Sequence, residues 1–236
     1  MHDITTIDCE YLDRPQFAAA YLITDGTQAA FVDNCTSRNV PQMLEALRGR
    51  GLSTDAVDYV IITHVHLDHA GGTSALLQAC PNAKVVAHPR AARHVIDPSK
   101  LVSSASAVYG EDEFKRLYGK IEPIAESRVQ IMEDEQTLPF GRSRLRFLHT
   151  RGHANHHFCI VDESSQSIFT GDAFGLHYPR LQTPGQFAFP STSPTDFDGP
   201  LARDAVQRIV DAKPKRVFPT HFGEVTAVDT AGRQLL

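Results

Sequence analysis

The sequence predicts an α+β fold in which helices pack on β-sheets, and three observations support this class. Short apolar runs rich in β-branched and aromatic residues recur along the chain, and several alternate with segments of helical spacing. Of the 236 residues, 42% are hydrophobic and 22% are charged, which is ordinary for a protein with a sizeable core. No linker-like or low-complexity segment divides the chain, so we expect a single domain over residues 1–236.

Strands and helices alternate in the first part of the chain. We predict strands over 17–24, 29–33, 59–63 and 84–88, and helices over 40–50 and 72–79. Helix 40–50 carries Met43 and Leu47 on one face, has Pro41 in its first turn, where proline is tolerated, and ends at glycines. This β-α-β-α alternation is typical of helices that cover the face of a sheet.

The alternation is interrupted in the middle of the chain. Residues 89–127 show helical patterns over 90–95 and 105–118 and no strand, so we interpret them as a helical insertion rather than a second domain. We predict further strands over 128–132, 144–148, 158–161, 167–170 and 216–220. A loop rich in proline, glycine and phenylalanine covers 175–200, and an amphipathic helix covers 201–212.

Charge and composition narrow the classes of partner. The net charge of −5 disfavours a protein whose main task is to hold phosphate backbones, so we do not expect a nucleic acid partner. The apolar runs are far shorter than the ~20 residues that span a bilayer, and Met1–Thr6 does not look like a secretory signal. The four cysteines form no Cys-x-x-Cys pair and are predicted to be reduced, mostly buried thiols. We expect a cytoplasmic protein with a small-molecule substrate. A homodimer is compatible with the sequence.

One short motif concentrates side chains that bind metals. His64, His66, Asp68 and His69 directly follow the predicted strand 59–63 and precede a Gly-Gly turn into a helix. Neutral imidazoles and carboxylates are the ligands of borderline and hard divalent cations. A lone histidine here would be read as part of a solvated loop, but four such groups in one loop predict a metal centre.

Two later strands end on similar residues. Strand 216–220 is followed by His221 after Thr220, as strand 59–63 is followed by His64, and strand 167–170 leads to Asp172. Strand ends that deliver histidine or aspartate to one edge are a common way for such folds to build a site.

These motifs, in this order, resemble the metallo-β-lactamase-fold superfamily, a four-layer αββα sandwich of hydrolases and related oxidoreductases. The resemblance extends through most of the chain and rests on the His64 motif, Asp33, Gly152-His153, the Thr170-Gly-Asp172 strand end and Thr220-His221. Arg151 stands where the superfamily usually has proline. The helical insertion and the variant segment after Gly152 resemble a branch near the oxygen-binding di-iron proteins and small archaeal and bacterial hydrolases.

The resemblance implies two metal positions. The first would be held by three imidazoles and the second by a carboxylate and two imidazoles, with Asp172 bridging both: His64, His66 and His153, and Asp68, His69 and His221. Two divalent ions are therefore expected, with zinc favoured and iron or manganese as alternatives. Asp33 is expected to be a hydrogen-bond acceptor behind the ligands rather than a ligand itself.

The implied activity is that of a binuclear metallohydrolase. A metal-bridging hydroxide would attack an ester, thioester or lactone carbonyl, and Asp68 would help to orient it. His177 and Tyr178, on the loop that leaves Asp172, are the candidates for polarising the carbonyl or donating a proton. Asp172 argues against antibiotic hydrolysis as the native role, because β-lactamases of this fold lack the bridging aspartate.

Three alternative functions are considered for the same candidate residues. The first is a phosphodiesterase of the tRNA-processing type, which the acidic net charge disfavours. The second is an iron-dependent oxidoreductase similar to persulfide dioxygenases, and the third is a non-catalytic module that binds metal or oxygen. Five histidines and two aspartates suit zinc, iron or manganese, so the candidate ligands alone do not separate the alternatives.

Overall fold

Two facing β-sheets with helices on both outer sides form the body of the molecule. The computed structural model describes residues 1–183 and 185–236. The first sheet has the order β1-β2-β3-β4-β5-β6, with strands Asp3–Asp8, Ala19–Asp25, Gln28–Val32, Val57–Ile61, Lys84–Ala87 and Val129–Ile131. The second has the order β11-β10-β9-β8-β7, and β7 to β11 are Thr137–Phe140, Ser143–His149, Phe158–Asp162, Ser167–Gly171 and Arg216–Pro219.

Eight α-helices complete the described part of the chain. Helices α1 to α8 are Val40–Gly49, Leu67–Ala70, Thr73–Ala79, Pro89–Ile96, Ser99–Tyr109, Glu111–Tyr118, Gly199–Asp211 and Val228–Leu235. None of the described helices is long and apolar enough to cross a membrane. The predicted α+β class and the four-layer αββα sandwich are confirmed.

Apolar residues on alternate positions of the strands create three layers of core. In β2, Tyr21 and Ile23 point between the sheets and pack with phenylalanines of the second sheet such as Phe169. Leu22, between them in sequence, points to the other side and packs with Met43 and its neighbours on α1. Helices α7 and α8 cover the outer face of the second sheet in the same way. The four layers are therefore dictated by strands that are apolar on both faces.

Parallel strands place the ends that carry the polar motifs. Strand β4 pairs in parallel with β3 and β5, and β11 pairs in parallel with β10. Backbone hydrogen bonds join the two sheets at this edge, from Ala19 to Thr220 and from Phe158 to Thr63. The loops that follow β4, β10 and β11 therefore meet at one rim of the sandwich.

The segment predicted as an insertion has two different parts. Helix α4 belongs to the sandwich itself, because Ala91 and Val95 are buried in the core of the first sheet. The single helix predicted over 105–118 is wrong, since α5 begins at Ser99 and a break at Gly110 separates α5 from α6. Gly110 has φ 82°, a backbone conformation that glycine adopts without strain and that ends a helix.

The strands that sequence analysis missed lie at the edges of the sheets. Strand β1 contains only two apolar residues, Ile4 and Ile7, and β7 contains Pro139, which cannot donate to a ladder. Both features are tolerated because an edge strand has a neighbour on one side only. The prediction for the cysteines is confirmed, because all four are buried and free.

Candidate metal centre

Three histidines converge on one point at the rim, and we call them the imidazole group: His64, His66 and His153. The Nε2 atom of His64 lies 2.8 Å from Nδ1 of His66, and Nε2 of His153 lies 3.1 Å from the same Nδ1 atom. Residues from two different sheets meet here, because His64 and His66 follow β4 while His153 follows β8. Three inward nitrogens at this spacing could hold a divalent cation.

A second set lies beside the first, and we call it the mixed group: Asp68, His69 and His221. Oδ2 of Asp68 lies 3.8 Å from Nε2 of His69 and 3.4 Å from Nε2 of His221. Helix α2 carries the first two residues, while His221 directly follows the end of β11. This set also has the composition and spacing of a cation site.

The carboxylate of Asp172 stands between the two groups. Its Oδ1 atom lies 3.3 Å from Nε2 of His69 and 3.6 Å from Nε2 of His221, while its Oδ2 atom lies 3.3 Å from Nε2 of His153. Oδ1 of Asp172 and Nε2 of His69 are buried and have no hydrogen-bond partner among the described residues. Burying two unsatisfied polar atoms is costly, so this arrangement fits a bound cation.

Asp33 connects the loops that carry the ligands. Its buried carboxylate accepts hydrogen bonds from the Thr63 backbone at 2.8 Å, from Nδ1 of His69 at 2.9 Å and from the Thr220 hydroxyl at 2.8 Å. Asp33 thus accepts hydrogen bonds behind the candidate ligands, as expected of it. One carboxylate thereby fixes the ends of β4 and β11 and the orientation of a mixed-group imidazole.

Ser191, which sequence analysis missed, holds both Asp172 and its imidazole-group neighbour His153. Its hydroxyl donates to Oδ2 of Asp172 at 2.8 Å, and its carbonyl accepts from Nδ1 of His153 at 3.0 Å. The residue lies in the long loop before α7, at a distance of 19 positions from Asp172. A serine in a loop without a motif gives no sequence signal, and only the fold brings it to the rim.

Glycines allow the backbone to pass close to the ligand loops. A Cβ atom on Gly72 would lie 2.7 Å from the carbonyl oxygen of Thr36 and 2.8 Å from that of Asn34. At Gly72, φ is −87°, so close packing, rather than the special turn conformation that we expected, requires glycine there. Gly171 does adopt a left-handed conformation, and its Cβ would collide with His157 and Thr63.

The two groups differ in their protonation. Burial lowers the pKa of His66 to about 4 and, with neighbouring histidines, lowers the pKa of His64 well below its ordinary value. Burial also opposes protonation of His69, but Asp172, Asp68 and Asp33 together raise its pKa to about 10. For His221, Asp172 and Asp68 outweigh burial and raise the pKa. His64 and His66 are thus neutral near pH 7, while His69 holds a proton.

His177 and Tyr178, the predicted substrate groups, differ in how they stand to the centre. The His177 ring is buried, with Nε2 2.8 Å from the Phe174 carbonyl and Nδ1 3.0 Å from the amide nitrogen of Gln186. Both ring nitrogens therefore serve to order the loop. The Tyr178 ring stacks on Phe17 with centroids 5.0 Å apart and approaches His221 at 6.2 Å. Burial and the carboxylates of the centre raise the pKa of Tyr178 to about 12, so it remains a neutral donor at the rim.

Comparisons with known proteins agree with this geometry. A family model for the metallo-beta-lactamase superfamily matches residues 13–221. The metallo-beta-lactamase fold-containing protein ST1585 of Sulfurisphaera tokodaii is 26% identical over 230 residues, which make up 96% of this chain and 79% of that protein. The crystal structure of ST1585 superimposes with a TM-score of 0.79 at 25% identity and covers 98% of this chain and 84% of that one.

More distant similarities are shorter or concern the fold alone. An atrochrysone carboxyl ACP thioesterase of Cryptosporiopsis is 25% identical over 153 residues, 64% of this chain but only 37% of the relative's length. The chemotaxis sensor ODP, whose structure is described as a peroxy diiron species, superimposes with a TM-score of 0.69 at 16% identity, covering 99% of this chain and 89% of that one.

Proposed function

The chain belongs to the metallo-beta-lactamase superfamily, and from this membership we propose that it is a binuclear metallohydrolase that cleaves an ester, thioester or lactone bond. The observation that carries the proposal is the position of Asp172, whose two oxygens face the two ligand groups separately. A carboxylate in this position keeps two cations together by offsetting their mutual repulsion.

The donor atoms of both groups fit divalent cations. The imidazole group would hold one cation and the mixed group the other, with Asp172 shared between them. Zinc is the first choice for this combination of nitrogen and carboxylate ligands, and iron or manganese are the alternatives. When bound, such cations lower the pKa of coordinated water towards neutrality and polarise a carbonyl group.

The residues of the chain supply orientation and charge. Asp33, Ser191 and the Phe17 carbonyl fix the outer nitrogens of His69, His153 and His221, so each imidazole presents its other nitrogen to the centre. Asp68 is partly exposed, with 28% of its side chain accessible, and is the carboxylate best placed to orient a nucleophilic water.

Carbonyl chemistry is favoured by the curated relatives over the alternatives. Several relatives are named as ACP thioesterases, which act on an acyl thioester, although this chain spans little more than a third of their length. The similarity to the di-iron sensor concerns the fold alone at 16% identity, so it does not favour oxygen chemistry here.

Metal analysis combined with a small substrate panel tests the proposal. Protein purified without chelators should hold about two divalent ions per chain and hydrolyse an ester, a thioester or a lactone faster than bis(p-nitrophenyl) phosphate. A chelator should abolish turnover, and zinc, iron or manganese added back should identify the active metal. A protein that holds two ions but turns over only the phosphodiester, or none of the four compounds, would contradict the proposed activity.

A further inference from the structure

An open groove of about 510 Å³ lies against the ligands of both groups. Its lining includes His66 and Asp68, together with Leu101, Ala105 and Val108 of helix α5. We call it the α5 groove. Its volume is in the range of small-molecule sites, whereas the pocket behind Asp172 and His153 measures only about 170 Å³.

Helix α5 supplies much of the wall of this groove, and His177 and Tyr178 are not among its lining residues. Besides α5, the lining contains Tyr11 and Tyr118, whose hydroxyls lie 3.1 Å apart and bond to each other. The loop over 175–200 contributes Ser193 and Pro194. The groove thus combines an apolar wall, neutral hydroxyls and two of the candidate metal ligands.

Among the described residues that line the groove there is no lysine or arginine, and Asp68 is the one carboxylate. A carboxylate or phosphate on a chain bound along α5 would lose part of its hydration without gaining an ion pair there, which is unfavourable. An alkyl chain would instead gain from contact with Leu101, Ala105 and Val108.

We propose that the α5 groove binds the acyl chain of the substrate and selects uncharged, apolar acyl groups against acyl groups that end in a carboxylate. This inference rests on the proposed hydrolytic function, since it assigns the substrate class of the same site. The carbonyl group would lie beside His66 and Asp68, where a cation would be held, while helix α5 would contact the acyl chain.

The test compares two matched pairs of compounds that differ only in a terminal methyl or carboxylate. The first pair is p-nitrophenyl hexanoate and the mono-p-nitrophenyl ester of adipic acid, for which kcat/KM is measured. The second pair is hexanohydroxamate and the monohydroxamate of adipic acid, whose binding to metal-loaded protein is measured by calorimetry and needs no turnover. The methyl compound should have the higher kcat/KM in the first pair and the higher affinity in the second, by ~10-fold or more in each.

A charge placed in the groove should reduce this preference. Val108 is 79% exposed and lies in the last turn of α5, where lysine is well tolerated, so Val108→Lys should fold normally. We expect this variant to reduce the preference for the methyl compound over the carboxylate compound by ~3-fold, since exposed ion pairs are weak. Ser103→Lys is the matched control, because Ser103 is on the same helix but lines a different groove.

The outcomes separate this inference from the proposed function. Equal affinity for the two hydroxamates, or an equal effect of both lysine variants, overturns the groove assignment whether or not esters are hydrolysed. A clear preference for hexanohydroxamate without hydrolysis of any ester supports the groove and counts against the hydrolase.

Discussion

The imidazole group and the mixed group lie side by side, yet they hold their candidate cations by different means. His64 and His66 are neutral near pH 7, because burial and neighbouring histidines lower the pKa of each. His69 and His221 sit among carboxylates that raise the pKa of each. One group is therefore ready for a cation as it folds, while the other must release the proton of His69 to bind one.

Removal of Asp172 should affect both groups most strongly. Asp172→Ala deletes a carboxylate that faces both sets of nitrogens, so we expect metal to be lost and activity to fall by at least ~10²-fold. Elemental analysis and kcat/KM measure the effect, and circular dichroism checks that the fold persists. If the variant keeps two ions and full turnover, Asp172 does not join the groups.

The pH dependence of metal affinity should distinguish the two groups. The pKa of His69 is about 10 in the metal-free protein, so a cation must displace its proton at any lower pH. Affinity of the mixed group should therefore rise with pH, by ~10-fold per unit for each proton released. His64 and His66 have no proton to release above neutrality, so the affinity of the imidazole group should rise less.

Competition with a chromophoric chelator between pH 6 and 9 measures this difference. Two binding phases with different pH slopes are expected, the steeper one belonging to the mixed group. His221→Ala, which removes one mixed-group ligand, should abolish the steep phase and leave the shallow one. Two phases with the same slope would show that the protonation difference does not control loading.

Loss of the Ser191 hydroxyl should have the smallest effect and act on one side of Asp172. Ser191→Ala removes the hydrogen bond to Oδ2, the oxygen that faces His153, so the shallow phase should weaken by ~10-fold. Ser191→Thr keeps a hydroxyl and serves as the control. An unchanged shallow phase in Ser191→Ala would mean that Asp172 is held in place without it.

Sequence analysis located the candidate ligands because they form short motifs at the ends of apolar strands. His64, His66, Asp68 and His69 share one short segment after β4, and Asp172 and His221 each follow a recognisable strand. Ser191 could not be found in this way, since its role depends on how a long loop folds back over the rim.

The positions of the helices near the site also depended on tertiary structure. The break at Gly110 turns a predicted single helix into α5 and α6, and this turn brings Val108 and Tyr118 to the same groove. The sequence has a helical pattern on both sides of the break, so local patterning favours one helix. For His177, the sequence suggested a role at the substrate, whereas both nitrogens of its ring contact groups of its own loop.

The partners of Asp33 have a consequence for how the protein assembles. Its hydrogen bond to Thr63 spans 30 positions, whereas its bond to Thr220 spans 187. Contacts between residues so far apart in sequence form late, because the entropy cost of closing the long loop comes before the contact can stabilise the fold. During synthesis the first four ligands therefore emerge well before the strand that completes the mixed group. The proposed binuclear centre would be whole only when the last strand has joined its sheet, which would tie full metal loading to the end of folding.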